Sequence, residues 1–178
     1  MEKTGIKADP KSSFLKIQYD QIMFQIIQAS TKEDYQTGAT LFKEYAASLD
    51  FTLCFQNFDD ELLIISEMYG PPSGVLLLVK NENEFIGAVG LRRIENDFTC
   101  EVKRMYIRPD YQGKGIGKAL MSKVIECAKS LNYKTVKLDT LGTKMPAAVA
   151  LYKSFGFKET VPYNYNPYDG VLYFEREL

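Results

Sequence analysis

The chain has 178 residues, of which 46% are hydrophobic and 25% charged, an ordinary composition for one globular domain with a substantial core. Its net charge of −1 and its scattered Lys and Arg residues argue against a nucleic-acid partner. Because no apolar run is long enough to span a bilayer and no signal peptide is recognisable, we expect a cytoplasmic protein without a membrane partner.

Histidine is absent, which excludes every catalytic arrangement that depends on an imidazole. Cys54, Cys100 and Cys127 are odd in number and lack metal-ligand spacing. We therefore expect reduced thiols and no metal site.

The N-terminal residues 1–20 mix Lys, Ser, Pro and Gly with little periodicity. Such a segment predicts a flexible or loosely packed extension. The remaining residues, 21–178, are expected to form a single domain.

The first half of this domain predicts one strand and two helices. Apolar residues favour a strand over 23–29, and Ser30 or Thr31 can cap a helix that reaches about residue 49. A second helix is predicted over 59–68, with carboxylates at its N-terminal end and glycine and prolines after it.

Three β-rich segments follow. A polar break at residues 81–83 predicts a hairpin between strands 75–80 and 84–93. In the next strand, 99–107, the apolar positions do not keep a period of two, because Val102 and Met105 are three residues apart. A β-bulge near residues 103–105 would return them to one face and leave backbone groups unpaired.

A glycine-rich turn, 112–117, connects this strand to an amphipathic helix that begins near Ile116. Its glycines permit positive φ and close approach of a ligand, and the helix adds unpaired N–H groups and its positive dipole end. The turn is therefore suited to hold phosphate.

Two common phosphate-binding motifs do not match this turn. A Walker P-loop would need glycine at Gln112 and Ser or Thr at Ala119. A dinucleotide fingerprint would need glycine at Lys118, or glycine or alanine at Leu120.

The rest of the chain predicts a strand over 135–139, a helix from about Pro146 to residue 155, and final strands over 157–161 and 171–177. A strand, a crossover helix and a strand imply one parallel pair within the sheet. The connection before the last strand is rich in Tyr and Pro, and it either covers the core or shapes a substrate pocket.

The pattern Gln112-x-x-Gly115-x-Gly117 follows a strand reading Glu-Val-Lys-Arg-Met-Tyr-Ile-Arg-Pro. The sequence here resembles the GNAT-type N-acetyltransferase superfamily, with detail from Gly74 to Phe157. The resemblance implies an α/β (α+β) fold: a mixed, mostly antiparallel sheet of six to seven strands flanked by about four helices. It also implies acetyl-CoA as co-substrate, with its pyrophosphate on the turn and its pantetheine arm on the bulged strand. The implied cofactor-binding residues are Met105, Tyr106, Ile107, Gln112, Gly113, Lys114, Gly115, Ile116, Gly117 and Lys118.

The resemblance also implies two catalytic residues. An amine such as that of lysine is neutral in only about one molecule in two thousand at pH 7, so a base is useful. Glu101 stands where several members of the family carry a glutamate that acts as base directly or through water. The alternative for Glu101 is a solvated strand residue beside Lys103. Tyr152 matches a family tyrosine that often protonates the departing thiolate, and the alternative for it is packing alone.

Two positions depart from the family pattern. Met145 replaces an asparagine that often contacts the pantetheine arm. Gln112 replaces the commoner arginine, and Arg108, Lys114 or Lys118 are candidates to offset the lost charge.

The leading hypothesis is an N-acetyltransferase for a primary amine of a small molecule, amino acid or peptide. Its alternatives are a binding module that senses acetyl-CoA or a partner protein without turnover and, more weakly, a nucleotide-phosphate enzyme. The sequence leaves a homodimer open.

Overall fold

An eight-stranded mixed sheet forms the frame of the protein. The computed structural model describes residues 15–19, 22–53 and 57–178, with side chains from Met23 onward. The strands lie in the order β1-β2-β3-β4-β5-β6-β8-β7, and each adjacent pair is antiparallel except β5 with β6. They are β1 Leu15–Tyr19, β2 Ile22–Gln28, β3 Val75–Asn81, β4 Glu84–Ile94, β5 Thr99–Ile107, β6 Thr135–Leu141, β7 Lys158–Glu159 and β8 Val171–Glu177.

Five helices accompany the sheet in this part of the chain, and none of them is long and apolar enough to cross a membrane. They are α1 Lys32–Ser48, α2 Phe58–Leu63, α3 Ile65–Met68, α4 Ile116–Ser130 and α5 Pro146–Ser154. The predicted α/β fold with a mixed, mostly antiparallel sheet is confirmed.

The element counts differ from the prediction in two places. Five residues of the predicted N-terminal extension form β1, which pairs with β2, and the other residues of that extension lie outside the described ranges. The helix predicted over 59–68 is divided into α2 and α3 at Ile64, whose φ of −108° and ψ of 24° are not helical. Neither difference changes the order of the remaining elements.

The start of α1 follows the predicted capping chemistry. Thr31 is the N-cap residue, and its side chain accepts a hydrogen bond from the N–H of Asp34. The Asp34 carboxylate accepts one in return from the N–H of Thr31, which completes a capping box. This fixes the start of the helix whose C-terminal part lines the site described below.

The sheet buries apolar side chains on both faces. On one face, α4 and α5 pack over a cluster that includes Val102, Leu120 and Phe174. On the other, α1 and α3 pack over a smaller cluster that includes Phe42 and Tyr69. Cys100 and Cys127 are buried free thiols, and burial raises the pKa of Cys100 to about 12, so it is unreactive at neutral pH. The third cysteine, Cys54, lies outside the described residues.

The predicted bulge in β5 is confirmed. Lys103 pairs with Gly90 and Tyr106 with Ala88, so two residues of β5 lie opposite one residue of β4. Arg104, the first of these two, has a φ of 55°. The bulge lets β5 keep its apolar residues on the α4 side while the strand bends away from β6.

Near the C-terminus, the strand predicted over 157–161 is shorter than expected. Only Lys158–Glu159 pair with β8, and the chain from residue 160 to 170 forms an extended loop, the tyrosine loop. The other six predicted strands, and the two helices after the glycine turn, lie within a few residues of their expected bounds.

Candidate active site

A cavity of about 1190 Å³ opens where β5 and β6 separate. The two strands pair from Thr99↔Thr135 to Glu101↔Lys137, although both continue well beyond this point. From Val102 onward no strand among the described residues pairs with β5 on its β6 side, and this part of β5 lines the cavity. Segments of α1, β5, β6 and α5, together with the turn before α4, form the wall. The cavity is large enough for an extended ligand.

The glycine turn closes one end of this cavity. Gly113 and Gly115 have φ values of 74° and 79°, and Gly115 is the N-cap residue of α4. Within the described part of the chain, no group accepts a hydrogen bond from the backbone N–H groups of the six residues from Gly113 to Lys118. Unpaired N–H groups at a helix N-terminus attract an anion, so the turn suits a phosphate or pyrophosphate group.

The side chains of the turn have different roles from one another. Gln112 donates from Nε2 to the carbonyl oxygen of Ile107 at 2.8 Å, so it braces the turn. Arg108 forms a two-bond ion pair with Glu44 and a further contact with Glu84, which leaves it poorly placed to offset the arginine that Gln112 replaces. Lys114 lies over the ring of Tyr111. Lys118 lines the cavity and is the candidate for the compensating charge.

Most predicted cofactor-binding residues do line the cavity. Ile116 instead lies in the core beneath the turn, and Lys114 does not line the cavity. Met145, at the family's asparagine position, contributes an apolar wall and accepts a hydrogen bond at Sδ from Thr140. The predicted residues that line the cavity are Met105, Tyr106, Ile107, Gln112, Gly113, Gly115, Gly117 and Lys118.

Tyr152 is positioned by α5 with its ring in the core and its hydroxyl on the cavity. Its ring centroid lies 6.1 Å from the centroids of both Phe157 and Phe174. No described residue forms a hydrogen bond with its hydroxyl, and the residue lines the cavity. Burial, and to a smaller degree the neighbouring Tyr45 and Asp139, raise the pKa of Tyr152 well above its usual value. The hydroxyl is therefore protonated at neutral pH and can act as a hydrogen-bond donor.

Glu101 is fully buried and does not line the cavity. Its Oε2 accepts a hydrogen bond from Nε of Arg92 at 2.8 Å and forms an ion pair with Nη2 of the same residue at 2.8 Å. Its Oε1 accepts a hydrogen bond from the Tyr163 hydroxyl at 2.9 Å. Burial alone would raise the pKa of this carboxyl, but Lys103 and Arg92 outweigh it and hold the pKa below the usual value. Glu101 is therefore not the solvated strand residue of the alternative reading, and its lowered pKa and lack of contact with the cavity disfavour a direct role as general base.

Two charged residues that sequence reasoning did not assign to the site face the cavity where β5 and β6 part. They are Lys103, whose Nζ lies 3.4 Å from Glu101 Oε1, and Asp139, whose Oδ1 lies 3.9 Å from the same Nζ. The sequence carries one signal for the first, because Glu101 and Lys103 are two residues apart on a strand and so share a face. It carries none for Asp139.

A second buried ion pair anchors the bulge. Arg104 donates from Nη2 and Nε to the two carboxylate oxygens of Glu61 in α2, at 2.7 and 3.1 Å. The Tyr69 hydroxyl donates to the same carboxylate at 2.8 Å, and the guanidinium lies over the Phe58 ring. This arrangement ties the bulge of β5 to the helices on the α1 side of the sheet.

The tyrosine loop helps to build the pocket. Asn166 lines the cavity and donates from Nδ2 to Asp139 Oδ2 at 3.1 Å. The Tyr163 hydroxyl donates a hydrogen bond to Glu101. The Tyr168 hydroxyl accepts a hydrogen bond from the N–H of Thr52 and donates one to the carbonyl oxygen of Thr52. Of the two alternatives for this loop, the shaping of a pocket is the one that these contacts favour.

The chain matches the family model described as the acetyltransferase (GNAT) family over residues 38–157. It belongs to that family. An N-acetyltransferase of Schizosaccharomyces pombe, itself uncharacterised, is 40% identical over 147 residues, covering 82% of this chain and 90% of that protein. The solved acetyltransferase yncA of Salmonella typhimurium, which contains acetyl-CoA, matches with a TM-score of 0.65 and 18% identity over 86% of this chain and 93% of that one.

A third relative has a named product. The N-acetylaspartate synthetase of Danio rerio is 35% identical over 122 residues, which are 68% of this chain and 42% of the synthetase. This chain therefore spans less than half of that relative. The GNAT family match and the N-acetyltransferase relatives identify the protein as an acetyl-transferring enzyme, and proteins of this fold family use acetyl-CoA.

Proposed function

We propose that the cavity between β5 and β6 binds acetyl-CoA and that the protein transfers its acetyl group to a primary amine of a small molecule, amino acid or peptide. The observation that carries the proposal is a row of six backbone N–H groups, Gly113 to Lys118, that have no acceptor among the described residues and lie at one end of a cavity that Tyr152 also lines. The row suits a pyrophosphate. The unpaired edge of β5 suits an amide-bearing chain such as pantetheine.

Acetyl-CoA supplies an activated thioester, and the protein supplies position, polarisation and a proton. The backbone of β5 between Met105 and Ile107 faces the cavity, so its N–H groups are candidates to polarise the thioester carbonyl. Tyr152 is the proton donor for the sulfur.

In the proposed transfer, one acetyl group moves from the sulfur of acetyl-CoA to the nitrogen of the acceptor. The acceptor ammonium first loses one proton to solvent, and the neutral nitrogen forms a bond to the acetyl carbon as the carbon–sulfur bond breaks. Tyr152 gives its proton to the departing sulfur and is reprotonated by the second proton that the nitrogen loses. One proton is released for each acetyl group transferred.

Glu101 receives a positioning role in this scheme. Its carboxylate holds Arg92, Lys103 and Tyr163 through contacts of 2.8 to 3.4 Å. Substituting it would therefore disturb the cavity wall at Lys103, although Glu101 itself does not contact the cavity.

Two observations bear on the acceptor and on the competing function. The product name of the Danio rerio relative makes L-aspartate the first acceptor to test. The alternative of an acetyl-CoA sensor without turnover is not favoured, since the relatives found are N-acetyltransferases.

The test is release of free CoA thiol from acetyl-CoA in the presence of single amines: L-aspartate, L-leucine, spermidine and a short peptide with a free N-terminus. We expect amine-dependent release, with the acetylated amine identified by mass spectrometry. Saturable acetyl-CoA binding without release for any amine would contradict the proposal and restore the sensor.

A further inference from the structure

We propose that the acceptor is an amine that also carries a carboxylate, such as a free amino acid, and that it is held at two points. Lys103 binds the carboxylate and Asp139 binds the ammonium. The inference rests on the proposed function and specifies the substrate class for the same cavity.

Lys103 has hydrogen-bonding capacity to spare. Its side chain is only 6% exposed, yet it lines the cavity. The one hydrogen bond that it makes to a described residue is the 3.4 Å contact with Glu101 Oε1, which is long for a charged pair. Since a lysine ammonium carries three donors, at least two remain for a ligand.

The other cations on the described cavity wall are engaged or lie elsewhere. Arg104 is held by both carboxylate oxygens of Glu61, and Lys144 contacts Asp50 at 2.6 Å. Lys118 belongs to the turn at the phosphate end. Lys103 is therefore the cation best placed to bind an anionic group of the acceptor.

Asp139 is the complementary anion. Its Oδ2 accepts from Asn166, but its Oδ1 has no hydrogen-bond donor among the described residues and lies 3.9 Å from Lys103 Nζ. The titratable groups near Asp139 come from every surrounding element: Lys103 of β5, Tyr45 of α1, Tyr152 of α5, Tyr163 of the tyrosine loop and Tyr173 of β8. An acceptor ammonium at Oδ1 would lie on the same cavity as the Tyr152 hydroxyl.

The loose pairing of Lys103 with Asp139 is what favours a zwitterion. Two buried charges at 3.9 Å gain less from each other than they lose by leaving water, unless further hydrogen bonds complete their shells. A ligand with adjacent ammonium and carboxylate groups gives each charge a new partner. A ligand with the ammonium alone leaves Lys103 incompletely paired.

The experiment compares each acid with its amide, using L-leucine against L-leucinamide and L-aspartate against its diamide. In the wild-type protein we expect kcat/KM to be at least tenfold higher for the acids. Lys103→Met should lower kcat/KM for the acids at least tenfold, mainly through KM, and change the values for the amides less than threefold. Asp139→Asn should raise KM for acids and amides alike.

Lys137→Met is the matched control, because Lys137 is on neighbouring β6 but pairs with Glu95 and does not line the cavity. It should retain the preference for the acids. If Lys103→Met fails to fold, Lys103→Gln takes its place. Equal kcat/KM for acids and amides in the wild type, or equal losses for both in Lys103→Met, would overturn the inference and leave the acetyl-transfer proposal standing. Absence of thiol release with every amine would overturn both.

Discussion

The proposed role of the Tyr152 hydroxyl as a proton donor can be tested directly. Its pKa is raised above the usual value of 10 by burial, so turnover should not decline between pH 7 and pH 10 through loss of this proton. Tyr152→Phe deletes the hydroxyl and keeps the ring contacts with Phe157 and Phe174. We expect kcat to fall about tenfold to a thousandfold, with melting temperature and acetyl-CoA affinity nearly unchanged.

Single-turnover kinetics provide the measurement for Tyr152, because they separate chemistry from product release. Tyr165→Phe is the control, since that tyrosine is 78% exposed on the tyrosine loop. A Tyr152→Phe protein with an unchanged single-turnover rate but a lower melting temperature would show that the residue serves packing alone.

The buried Glu101 carboxylate should contribute to the stability of the fold in a pH-dependent way. Its pKa lies below the usual 4.5 in the folded protein, so the carboxylate stabilises the fold above about pH 4.5, and this contribution is lost as the pH falls through the folded pKa. Glu101→Gln leaves Arg92 and Lys103 without their buried anion. We expect the free energy of unfolding at pH 7 to fall by about 3 kcal/mol, and the gap to the wild type to narrow below pH 4.5.

Urea unfolding at pH 7, 5 and 3.5 would measure that gap. Exposed Glu67, substituted by Gln, is the control and should track the wild type at each pH. A gap that stays constant across the three pH values would contradict the role given to the Glu101 carboxylate.

At the scale of elements, the turn and the first residues of α4 form the proposed pyrophosphate site. A Cβ at Gly117 would meet only ordinary contacts, 3.7 Å to Leu151 and 3.8 Å to Met105, so the fold tolerates a side chain there. Gly115 differs because its φ of 79° disfavours any branched residue. We expect Gly117→Val to weaken acetyl-CoA binding at least tenfold with little change in melting temperature, and Gly115→Val to lose stability as well.

Isothermal calorimetry with acetyl-CoA, beside thermal melting, checks this prediction. Ser122→Val controls for a β-branched residue in α4, since Ser122 lies on the exposed face of the same helix. Wild-type affinity in a folded Gly117→Val protein would remove the turn from the binding site.

The elements that the sequence predicted well are those with local signals. Three features are determined by a few residues that are adjacent in the sequence: the Thr31 cap, the glycine turn, and the bulge indicated by the three-residue step from Val102 to Met105. The structure contains all three. The eight cavity-lining residues among the predicted cofactor set come from those same segments.

The parts that sequence reasoning missed depend on contacts between distant segments. The burial of Glu101 needs Arg92 from β4 and Tyr163 from the tyrosine loop, and a charged strand residue otherwise suggests solvent. Asp139 reaches Lys103 only because β5 and β6 are neighbours in the sheet. Leu15, Ile17 and Tyr19 of β1 alternate with two polar residues, a local strand signal that the prediction of a loose extension overlooked.

At the scale of the whole molecule, the gap where β5 and β6 separate lies between the proposed sites of the two substrates. The turn, α4 and α5 lie on the side where the cofactor is proposed to bind. Lys103, Asp139 and the tyrosine loop lie where the acceptor would enter, below α1. Tyr152 reaches the gap between β5 and β6 from the side of the proposed cofactor site, so the proposed transfer occurs within that gap.

Hydrogen–deuterium exchange of the full chain, with and without saturating acetyl-CoA, tests this arrangement most directly. The backbone N–H groups from Gly113 to Lys118 lack acceptors within the described structure and should exchange rapidly in the free protein. On addition of acetyl-CoA we predict strong protection of these residues and of β5 from Met105 to Ile107, with β2 and β7 unchanged. Acetyl-CoA binding without protection at Gly113 to Lys118 would contradict the account.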